Sequence, residues 1–504
     1  MVNWDFLIDE SALASLLPDE QARFARPVKE ALALFLRHLR DSRQNEIFAV
    51  QAALPPSTSI SERLGRLAQC CPVLHKLGQV LARERRLAAE LRSELQLLES
   101  LPSSVPLEEI ERTLKEELGP LDELGMTLAP PALAEASVAV VIPCESADGD
   151  GVIKLLKPGI EARMSEELNL LAMVGEHLDA SCQKLEIPAL DYQQSFQQVR
   201  EKLQEEVRLD HEQRHLAQAA VTYAGDDRVL IPAVWPDCTS RVTTMERVHG
   251  CKITDHSHDD DADKRRLAEL VVESLIAQPI FSRADNAVFH ADPHAGNLML
   301  ADDGRLAILD WSLVGHLTKT QRSAVAQIIL GALTLDAPRI CNVLEGLSIN
   351  GRPDAEGLKA VVHAGLSRIG RGQFPGLKWM LAMLDDAVQN AGLRVAADLM
   401  LFRKTLYTLE GVVAELGPER FQIDEVLVRK FLCHFTMEWP RRWVSLPHSR
   451  EFATRLSNWD LTRTTLTLPW TTSRFWLHEC LDLVRSFQPG VPPKRPPSRL
   501  SSKE

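Results

Sequence analysis

Four polar side chains within one short, largely apolar stretch could together carry out the transfer of a phosphoryl group. They lie in the segment VFHADPHAGNLMLADDGRLAILDW and are His290, Asp292, Asn297 and Asp310. Between Asn297 and Asp310, the apolar runs LMLA and RLAIL flank Asp302-Asp303-Gly304, which predicts two strands joined by a tight turn. Because a hairpin returns the chain to its origin, we expect Asn297 and Asp310 to lie side by side. Their oxygen atoms are the ligands that Mg²⁺ prefers.

Asp292 lies in the loop that leads into this predicted hairpin. A carboxylate at that position could orient a nucleophile or accept its proton. The order D-x-x-x-x-N, hairpin and Asp is the layout of kinase-type catalytic loops. A structural loop is the alternative interpretation, but it explains any one of these residues more readily than all four together.

Kinase-type chemistry also requires a lysine for the nucleotide phosphates and a helical carboxylate that holds this lysine. Lys154 lies in the β-rich run GVIKLLK, which follows the turn residues ESADGDG. In the helical run LQEEVRLDHEQRHL, Glu206 is the candidate partner, Glu205 is adjacent to it, and Glu212 lies six residues later. The sequence leaves Glu205 and Glu206 as open alternatives, and a solvated helix face is the other interpretation.

A loop of small residues should cover the nucleotide. AEASVA, residues 134–139, is the candidate for this loop, and Ala136 and Ser137 are its expected nucleotide contacts. Alanine stands where a phosphate-binding loop usually has glycine, and alanine is less tolerant of positive φ. We therefore expect this loop to hold phosphates differently from a G-x-G-x-x-G loop.

The elements that position these residues change along the chain. Apolar residues three to four positions apart predict helices at the start of the chain, strands follow Pro131, and the region after about residue 262 is mainly helical apart from the hairpin. VLIPAVWPDCTSRVTTMERV, residues 229–248, predicts a further pair of strands. Four parts are expected, namely a helical extension (1–120), a small lobe (121–250), a helical lobe (251–430) and a C-terminal region of Trp-rich helices and a disordered tail (431–504).

Composition restricts the class of protein and its partners. The chain has 504 residues, of which 45% are hydrophobic and 25% are charged, as in soluble globular proteins. The net charge of -13 argues against binding to nucleic acid. Nine cysteines without a CxxC pair indicate a reducing, cytoplasmic compartment. The start MVNWDFLIDE is unlike a signal peptide, and the apolar runs suit buried helices better than a membrane span.

The C-terminal region differs in charge from the rest of the chain. Residues 440–504 contain 11 Lys and Arg against 5 Asp and Glu, a net charge of +6, which leaves -19 for the remainder. Five of the nine tryptophans also lie here or just before, namely Trp439, Trp443, Trp459, Trp470 and Trp476. Tryptophan favours the membrane interface and basic residues favour anionic lipids, so peripheral contact with a lipid membrane is expected. Packing onto the helical lobe is the alternative.

Taken together, these segments resemble the UbiB/AarF/ADCK-like atypical kinase family, from about residue 65 to about residue 416. KLGQ, residues 76–79, matches the family's K-x-G-Q motif, and AEAS, residues 134–137, matches its alanine-rich loop. VIK and KPG, within residues 152–159, match its strand lysine and the following turn, and FHADPHAGNLML matches its catalytic loop. Several motifs in the expected order are far more specific than any one of them.

The resemblance implies an α+β, protein-kinase-like two-lobed fold with a small β-containing lobe, a mainly helical lobe and an N-terminal helical extension. It implies ATP and Mg²⁺ as cofactors. By position, Lys154 would contact the α- and β-phosphates and pair with Glu206, Asp292 would be the catalytic aspartate, and Asn297 and Asp310 would hold the metal.

The resemblance also implies residues around the rest of the nucleotide. Met245, Glu246 and Val248 would lie near the adenine, while Lys76 and Gln79 would face the nucleotide from a helix that restricts protein phosphorylation. Members of the family are linked to ubiquinone or other isoprenoid-lipid metabolism, with ATP binding or hydrolysis as the core activity. The sequence carries no signal for an oligomeric state.

Several positions depart from the family pattern. Trp311-Ser312 stands where the family has Phe-Gly, Arg208 replaces the second acid of an E-x-D motif, Val140 replaces a glutamine, and His215 replaces an asparagine. These departures keep a nucleotide-binding pseudokinase scaffold open as an alternative function. A small-molecule phosphotransferase of the aminoglycoside or choline kinase type shares the H-x-D-x-x-x-x-N layout but has no counterpart of the KLGQ extension.

Overall fold

A computed structural model describes most of the chain. The described residues are 4, 8–82, 87–99, 105–135, 137–147, 149–184, 196–197, 200, 203–255, 260–349, 351–418 and 421–466. The chain divides into two compact units, one formed by residues 1–250 with 301–312 and the other by residues 251–300 with 313–504. The four parts expected from the sequence remain a prediction.

The first unit begins with helices, as the apolar spacing of the sequence predicts. They are α1 Glu10–Ala14, α2 Ala25–Arg37, α3 Asp41–Ala53, α4 Ile60–Cys70, α5 Pro72–Leu81, α6 Ala89–Gln96 and α7 Leu107–Leu118. The hydroxyl of Ser59 accepts a hydrogen bond from the Glu62 amide and so caps the start of α4. Fully buried side chains such as Leu36 and Ile47 form the core between these helices. The KLGQ motif therefore lies on α5, one helix of a packed group.

A five-stranded antiparallel sheet places Lys154 in the first unit. Its strands are β1 Thr127–Leu128, β2 Ala134–Glu135, β3 Ala139–Ser146, β4 Gly149–Leu156 and β6 Val242–Glu246. The order is β1-β3-β4-β6, with β2 beside β3. Lys154 lies opposite Val141 of β3 and Thr243 of β6, so it is held on a strand with neighbours on both sides. This confirms the strand, turn and strand that the sequence predicts around ESADGDG.

Two more helices and two short strands lie in the described part of the first unit. They are α8 Ile160–Lys184, α9 Leu209–Tyr223, β5 Val229–Leu230 and β10 Leu306–Ile308. Strand β5 pairs in parallel with β10, whereas β6 pairs with β4. The two strands that the sequence predicts in residues 229–248 are therefore present, but they join different sheets, and the contact between the two halves of this segment is an antiparallel bridge from Val234 to Met245. Two further strands, β7 Gly250–Lys252 and β9 Leu298–Ala301, lie where the chain passes from one unit to the other.

The second unit is mainly helical. Its helices are α10 Asp261–Val272, α11 Gln278–Phe281, α12 Lys319–Leu333, α13 Ala337–Leu347, α14 Ala355–Gly370, α15 Leu377–Ala391, α16 Ala397–Leu416 and α17 Ile423–Trp443. A two-stranded antiparallel ribbon joins β8 Asn286–His290 to β11 Val314–Thr318. The α+β, protein-kinase-like fold class expected from the sequence is confirmed. Among the described residues, no helix has the length and apolar character needed to cross a membrane.

Gly315 supports the ribbon by leaving room for an aromatic ring of the opposite strand. A Cβ atom at this position would overlap the ring of Phe289, which is fully buried and meets Phe402 edge to face at 5.1 Å. We expect Gly315→Val to lower the free energy of unfolding by about 1–3 kcal/mol, the usual effect of overpacking a core. Urea unfolding measures this change. Gly346→Ala on α13, where a Cβ meets no atom within 4 Å, should leave stability equal or raised; equal losses in both variants would contradict the prediction.

Candidate functional site

The amino group of Lys154 forms a buried ion pair with Glu212. Its Nζ lies 2.8 Å from both carboxylate oxygens, and the two side chains are 11% and 3% exposed. Glu212 belongs to the first turn of α9, and Lys154 belongs to β4. The strand and the helix therefore fix the two ends of one bridge, which is the arrangement that positions a phosphate-binding lysine.

Asp310 is the second carboxylate beside Lys154. Its Oδ1 lies 3.7 Å from the Lys154 Nζ and accepts a hydrogen bond from the Ser312 amide at 3.2 Å. Asp310 adopts a φ of 49°, a conformation that is uncommon outside glycine and recurs at functional sites. The backbone thus holds this carboxylate immediately after β10.

Electrostatics keep Lys154 and Asp310 charged. Burial lowers the pKa of Lys154, but the carboxylates of Asp310 and Glu212 outweigh this effect and raise that pKa above its ordinary value. Burial raises the pKa of Asp310, and the Lys154 ammonium more than offsets it, so this pKa lies well below its usual range. Near neutral pH the first unit therefore presents a fixed cation beside a fixed carboxylate.

Glu206 does not pair with Lys154, which corrects the assignment made from the sequence. Its Oε1 lies 3.1 Å from Lys76 Nζ on α5, in a bridge whose side chains are 22% and 32% exposed. Glu205 instead pairs with His211. The reason is helical position, because Glu212 lies inside α9 and faces the sheet, whereas Glu206 precedes the start of that helix. Neither of the two open alternatives was the partner of the strand lysine.

Helix α5 is fixed by contacts at both of its ends. The amide of Val73 donates a hydrogen bond at 2.9 Å to Glu167 of α8, a fully buried side chain. Further along α5, the His75 ring nitrogen and the Gln79 amide nitrogen lie 2.9 and 3.2 Å from the carbonyl oxygen of Leu98. Gln79 therefore has a backbone partner within the first unit, and its contact with a nucleotide remains a prediction.

The alanine-rich loop lies next to an ion pair that sequence reasoning missed. Ala136 lies outside the described residues, and Ser137 is buried. The carboxylate of Glu135 lies 2.6 Å from the amino group of Lys157, with little exposure of either side chain. This bridge joins the loop to the KPG turn after β4. Both residues belong to motifs identified in the sequence. Their pairing could not be predicted, because it depends on β2 and β4 belonging to the same sheet.

The segment expected near the adenine consists of the end of β6, with Met245 and Glu246, and of the loop after it. The Glu246 amide donates to the Ala233 carbonyl at 2.9 Å, and the Glu246 carboxylate accepts from the Ala233 amide at 3.3 Å. Val248 is half-buried in the loop that follows. Glu246 is thus tied to its own unit by two backbone contacts, and the roles of Glu246 and Val248 toward a nucleotide remain predictions.

Two of the departures from the family pattern contact each other. The His215 ring nitrogen Nδ1 lies 3.0 Å from the backbone oxygen of Trp311, and the Trp311 indole nitrogen donates to the Ile308 carbonyl at 3.1 Å. Trp311 is fully buried, and its ring lies 6.1 Å from that of Tyr223. The segment after Asp310 is therefore attached to α9, the helix that also carries Glu212.

The catalytic-loop residues belong to the second unit. His290 ends β8, and the Asp292 amide donates to its Nδ1 at 3.2 Å. The side-chain nitrogen of Asn297 donates to the Asp292 carbonyl at 3.1 Å, which leaves the amide oxygen of Asn297 as its remaining acceptor. Lys404 of α16 lies 3.2 Å from an Asp292 carboxylate oxygen, a contact that sequence reasoning missed because the two residues are far apart in the chain.

The donor set suits the expected metal. Asn297 offers an amide oxygen in the second unit, and Asp310 offers an ionised carboxylate in the first, both of them hard ligands of the kind that Mg²⁺ takes. Their shared binding of one ion remains a prediction. Within the described part of the chain, no group of three or more His, Cys, Asp and Glu side chains is arranged to hold a metal ion.

Comparison with known proteins points to one family. Residues 97–344 match the ABC1 atypical kinase-like domain. A probable protein kinase UbiB of Azotobacter vinelandii is 25% identical over 365 residues, covering 69% of this chain and 66% of that protein. An uncharacterized aarF domain-containing protein kinase of Arabidopsis thaliana is 31% identical over 296 residues, covering 56% of this chain and 53% of that protein.

A solved structure is also similar over much of its length. It is the complex of Rv3197 with erythromycin from Mycobacterium tuberculosis, with a TM-score of 0.46 and 17% identity over 74% of this chain and 87% of that one. The chain thus spans about two thirds of the length of the first curated relative named above and about half of the length of the second.

Proposed function

The chain belongs to the UbiB/AarF-like family of atypical kinases, and from this premise we propose that it binds ATP with Mg²⁺ and acts as an atypical kinase or ATPase. The observation that carries the proposal is the buried bridge between Lys154 and Glu212, with Asp310 beside it. A buried lysine with two carboxylate neighbours needs a function, since an apolar residue would fill the same space at lower cost.

Each residue has a task in this proposal. Lys154 is held by Glu212 and offers a remaining N–H donor to the α- and β-phosphates of ATP. Asn297 and Asp310 would hold Mg²⁺, which when bound would neutralise charge that develops on the phosphate oxygens. Asp292, positioned by the backbone of the catalytic loop and by Lys404, would orient the attacking hydroxyl or water and accept its proton.

The proposal extends to the class of molecule that accepts the phosphoryl group. The helix with Lys76 is bound to Glu206, and we propose that it restricts access for protein substrates. A small molecule or lipid, in ubiquinone or other isoprenoid-lipid metabolism, is then the acceptor class, with water as acceptor in an ATPase.

We further propose a cytoplasmic protein that contacts an anionic membrane peripherally, supported by the net charge of +6 in residues 440–504.

A pseudokinase scaffold is the second candidate function. It is favoured by the attachment of Trp311 to His215 and Ile308, because a fully buried indole after Asp310 restricts the backbone movement that a Phe-Gly pair would allow. The bridge between Lys76 and Glu206 favours both of these candidates over an aminoglycoside or choline kinase type of enzyme, which has no counterpart of the KLGQ helix.

Removal of the expected metal carboxylate tests the binding proposal. We expect wild-type protein to be stabilised by ATP only when Mg²⁺ is present, and Asp310→Asn to lose most of this stabilisation because the neutral amide is a weaker ligand. Thermal shift with ATP, with and without chelator, measures the effect. Asp303→Asn is the matched control, since this carboxylate lies in the turn before β10 and pairs with Arg305. The proposal fails if wild-type protein shows no stabilisation that depends on the metal.

Phosphate release in the presence of vesicles separates the two candidate functions. An active enzyme releases phosphate from ATP and loses this activity in Asp292→Ala while retaining nucleotide binding. A pseudokinase binds ATP and releases none under any of these conditions.

A further inference from the structure

Helix α17 carries two faces of opposite character. On its inner face, Arg442 is 3% exposed and donates hydrogen bonds to the Leu456 carbonyl at 3.0 Å and the Thr454 hydroxyl at 2.6 Å. The Arg442 guanidinium also lies 3.9 Å from the centre of the Phe452 ring. These contacts fasten the C-terminal half of the helix to the segment that follows it, so the exposed side of the helix has a fixed direction within the second unit.

The outer face of α17 is a stripe of exposed apolar side chains. The stripe consists of Val428, Leu432, Trp439 and Trp443 on the helix and of Val444 and Leu446 just after it. Residues four and seven apart lie on one side of a helix, so the four helical members form one continuous strip. Phe435 fills the middle of the strip, with its ring 5.5 Å from that of Trp439, which in turn lies 6.0 Å from that of Trp443.

The exposure of this stripe increases toward the end of the helix. Trp439 is 49% exposed, Trp443 is 77% exposed and Val444 is 86% exposed. An exposed apolar patch of this kind on a soluble protein usually marks a binding surface. Packing of the Trp-rich helices onto the helical lobe, the alternative left by the sequence, does not cover these side chains within the described residues.

We propose that this stripe enters the interfacial layer of an anionic membrane. Trp439 and Trp443 combine an apolar ring with a polar N–H group, which is the side chain that membrane interfaces favour. The inference rests on the proposed membrane contact of the C-terminal region and adds to it that a folded aromatic surface, rather than the basic tail alone, makes the contact.

Charge disfavours a second copy of this chain as the occupant. Residues 440–504 carry a net charge of +6, and the remaining residues carry -19. A symmetric pair of chains joined at α17 would bring two regions of like charge together, whereas an anionic lipid surface attracts this region and repels the rest of the chain.

Vesicle binding by the full chain tests the proposal. We expect the wild-type protein to sediment with phosphatidylcholine vesicles that contain phosphatidylglycerol. The double variant Trp439→Ala/Trp443→Ala should lose at least about tenfold in affinity for these vesicles, given the usual contribution of a buried aromatic side chain. Phe374→Ala, which removes another exposed aromatic ring of the second unit, is the matched control and should bind like wild type. An unchanged melting temperature of each variant shows that the fold is intact.

Further measurements distinguish the aromatic surface from the tail. Brominated phosphatidylcholine should quench the tryptophan fluorescence of wild-type protein more than that of Trp443→Phe, because bromine acts only on rings within the lipid. If the double variant binds like wild type and a chain ending at residue 466 does not bind, the tail makes the contact and the inference is wrong, while the broader proposal stands. If wild type binds no vesicles but forms dimers that the double variant does not form, the stripe binds a second copy of the chain. In that case the inference about the stripe and the broader proposal of membrane contact are both wrong.

Discussion

Replacing Glu212 by glutamine is expected to weaken the binding of Mg²⁺ and ATP by about tenfold or more and to destabilise the protein. The substitution removes the charge that faces Lys154 at 2.8 Å and leaves Asp310 at 3.7 Å as the neighbouring anion. Truncation of one partner of a buried pair commonly costs about 3–5 kcal/mol, because the other charge remains buried. Denaturant unfolding without ligand and calorimetric titration with nucleotide measure the two effects separately.

Glu206→Gln is the matched comparison for this experiment. The bridge of Glu206 to Lys76 is partly exposed to solvent, so we expect a loss of about 1 kcal/mol or less in the free energy of unfolding. The assignment made from the sequence predicts the opposite order, with Glu206 as the partner of Lys154. A larger loss of both stability and nucleotide binding in Glu206→Gln than in Glu212→Gln would contradict the geometry described above.

The error over Glu206 shows where sequence reasoning about the site stops. The residue types in the run LQEEVRLDHEQRHL indicate a carboxylate on a helix, and three glutamates satisfy that requirement. The choice depends on the residue at which α9 begins and on the side of the helix that faces β4. Both are set by tertiary packing. Lys154 was easier to find, since the strand on which it lies is marked by a turn and by β-branched and apolar neighbours.

Contacts between distant parts of the chain could not be predicted at all. Lys404 reaches Asp292 across 112 residues, and His215 reaches Trp311 across 96. No local pattern of hydrophobic residues reports such pairs, because each side chain alone also fits a solvated helix face. The fold class was more accessible, since helical periodicity before residue 120, strands after Pro131 and helices after residue 262 each leave a local signal. The pairing of β5 with β10 was missed for the same reason as the distant contacts.

A buried pair behind the KLGQ helix connects the fold to the site. Glu167 is fully buried, accepts a hydrogen bond from the Val73 amide at the start of α5, and lies 3.1 Å from Arg43 of α3. Arg43 also bonds to Glu46 and to the Cys70 carbonyl. One carboxylate therefore fixes the helix that carries Lys76. Burial is the largest influence on Glu167 and raises its pKa to about 7, while Val73 and Arg43 partly oppose this effect.

Stability should depend on the protonation of Glu167. Because its pKa in the folded protein is about 7, above the ordinary value of 4.5, this group stabilises the fold fully below about pH 4.5, and the stabilisation is lost as pH rises to about 7. The difference corresponds to about 3 kcal/mol at most. Glu167→Gln should remove this slope from a series of unfolding measurements between pH 4.5 and 8, and Glu166→Gln, whose partner Arg40 is largely exposed, should retain it.

Arg43→Ala extends the same argument to the partner of Glu167. Without the guanidinium, the ionised carboxylate is left buried and poorly compensated, so we expect a loss of about 3–5 kcal/mol at pH 8 and a smaller loss at pH 5, where Glu167 is protonated. Hydrogen exchange should be faster at the Val73 amide and its neighbours on α5 at pH 8, because the Glu167 carboxylate that anchors the start of that helix loses its partner Arg43. An equal loss of stability at both pH values would mean that Arg43 acts through packing and through Glu46 alone. Glu167 would then not be the residue that links α3 to α5, the helix that carries Lys76.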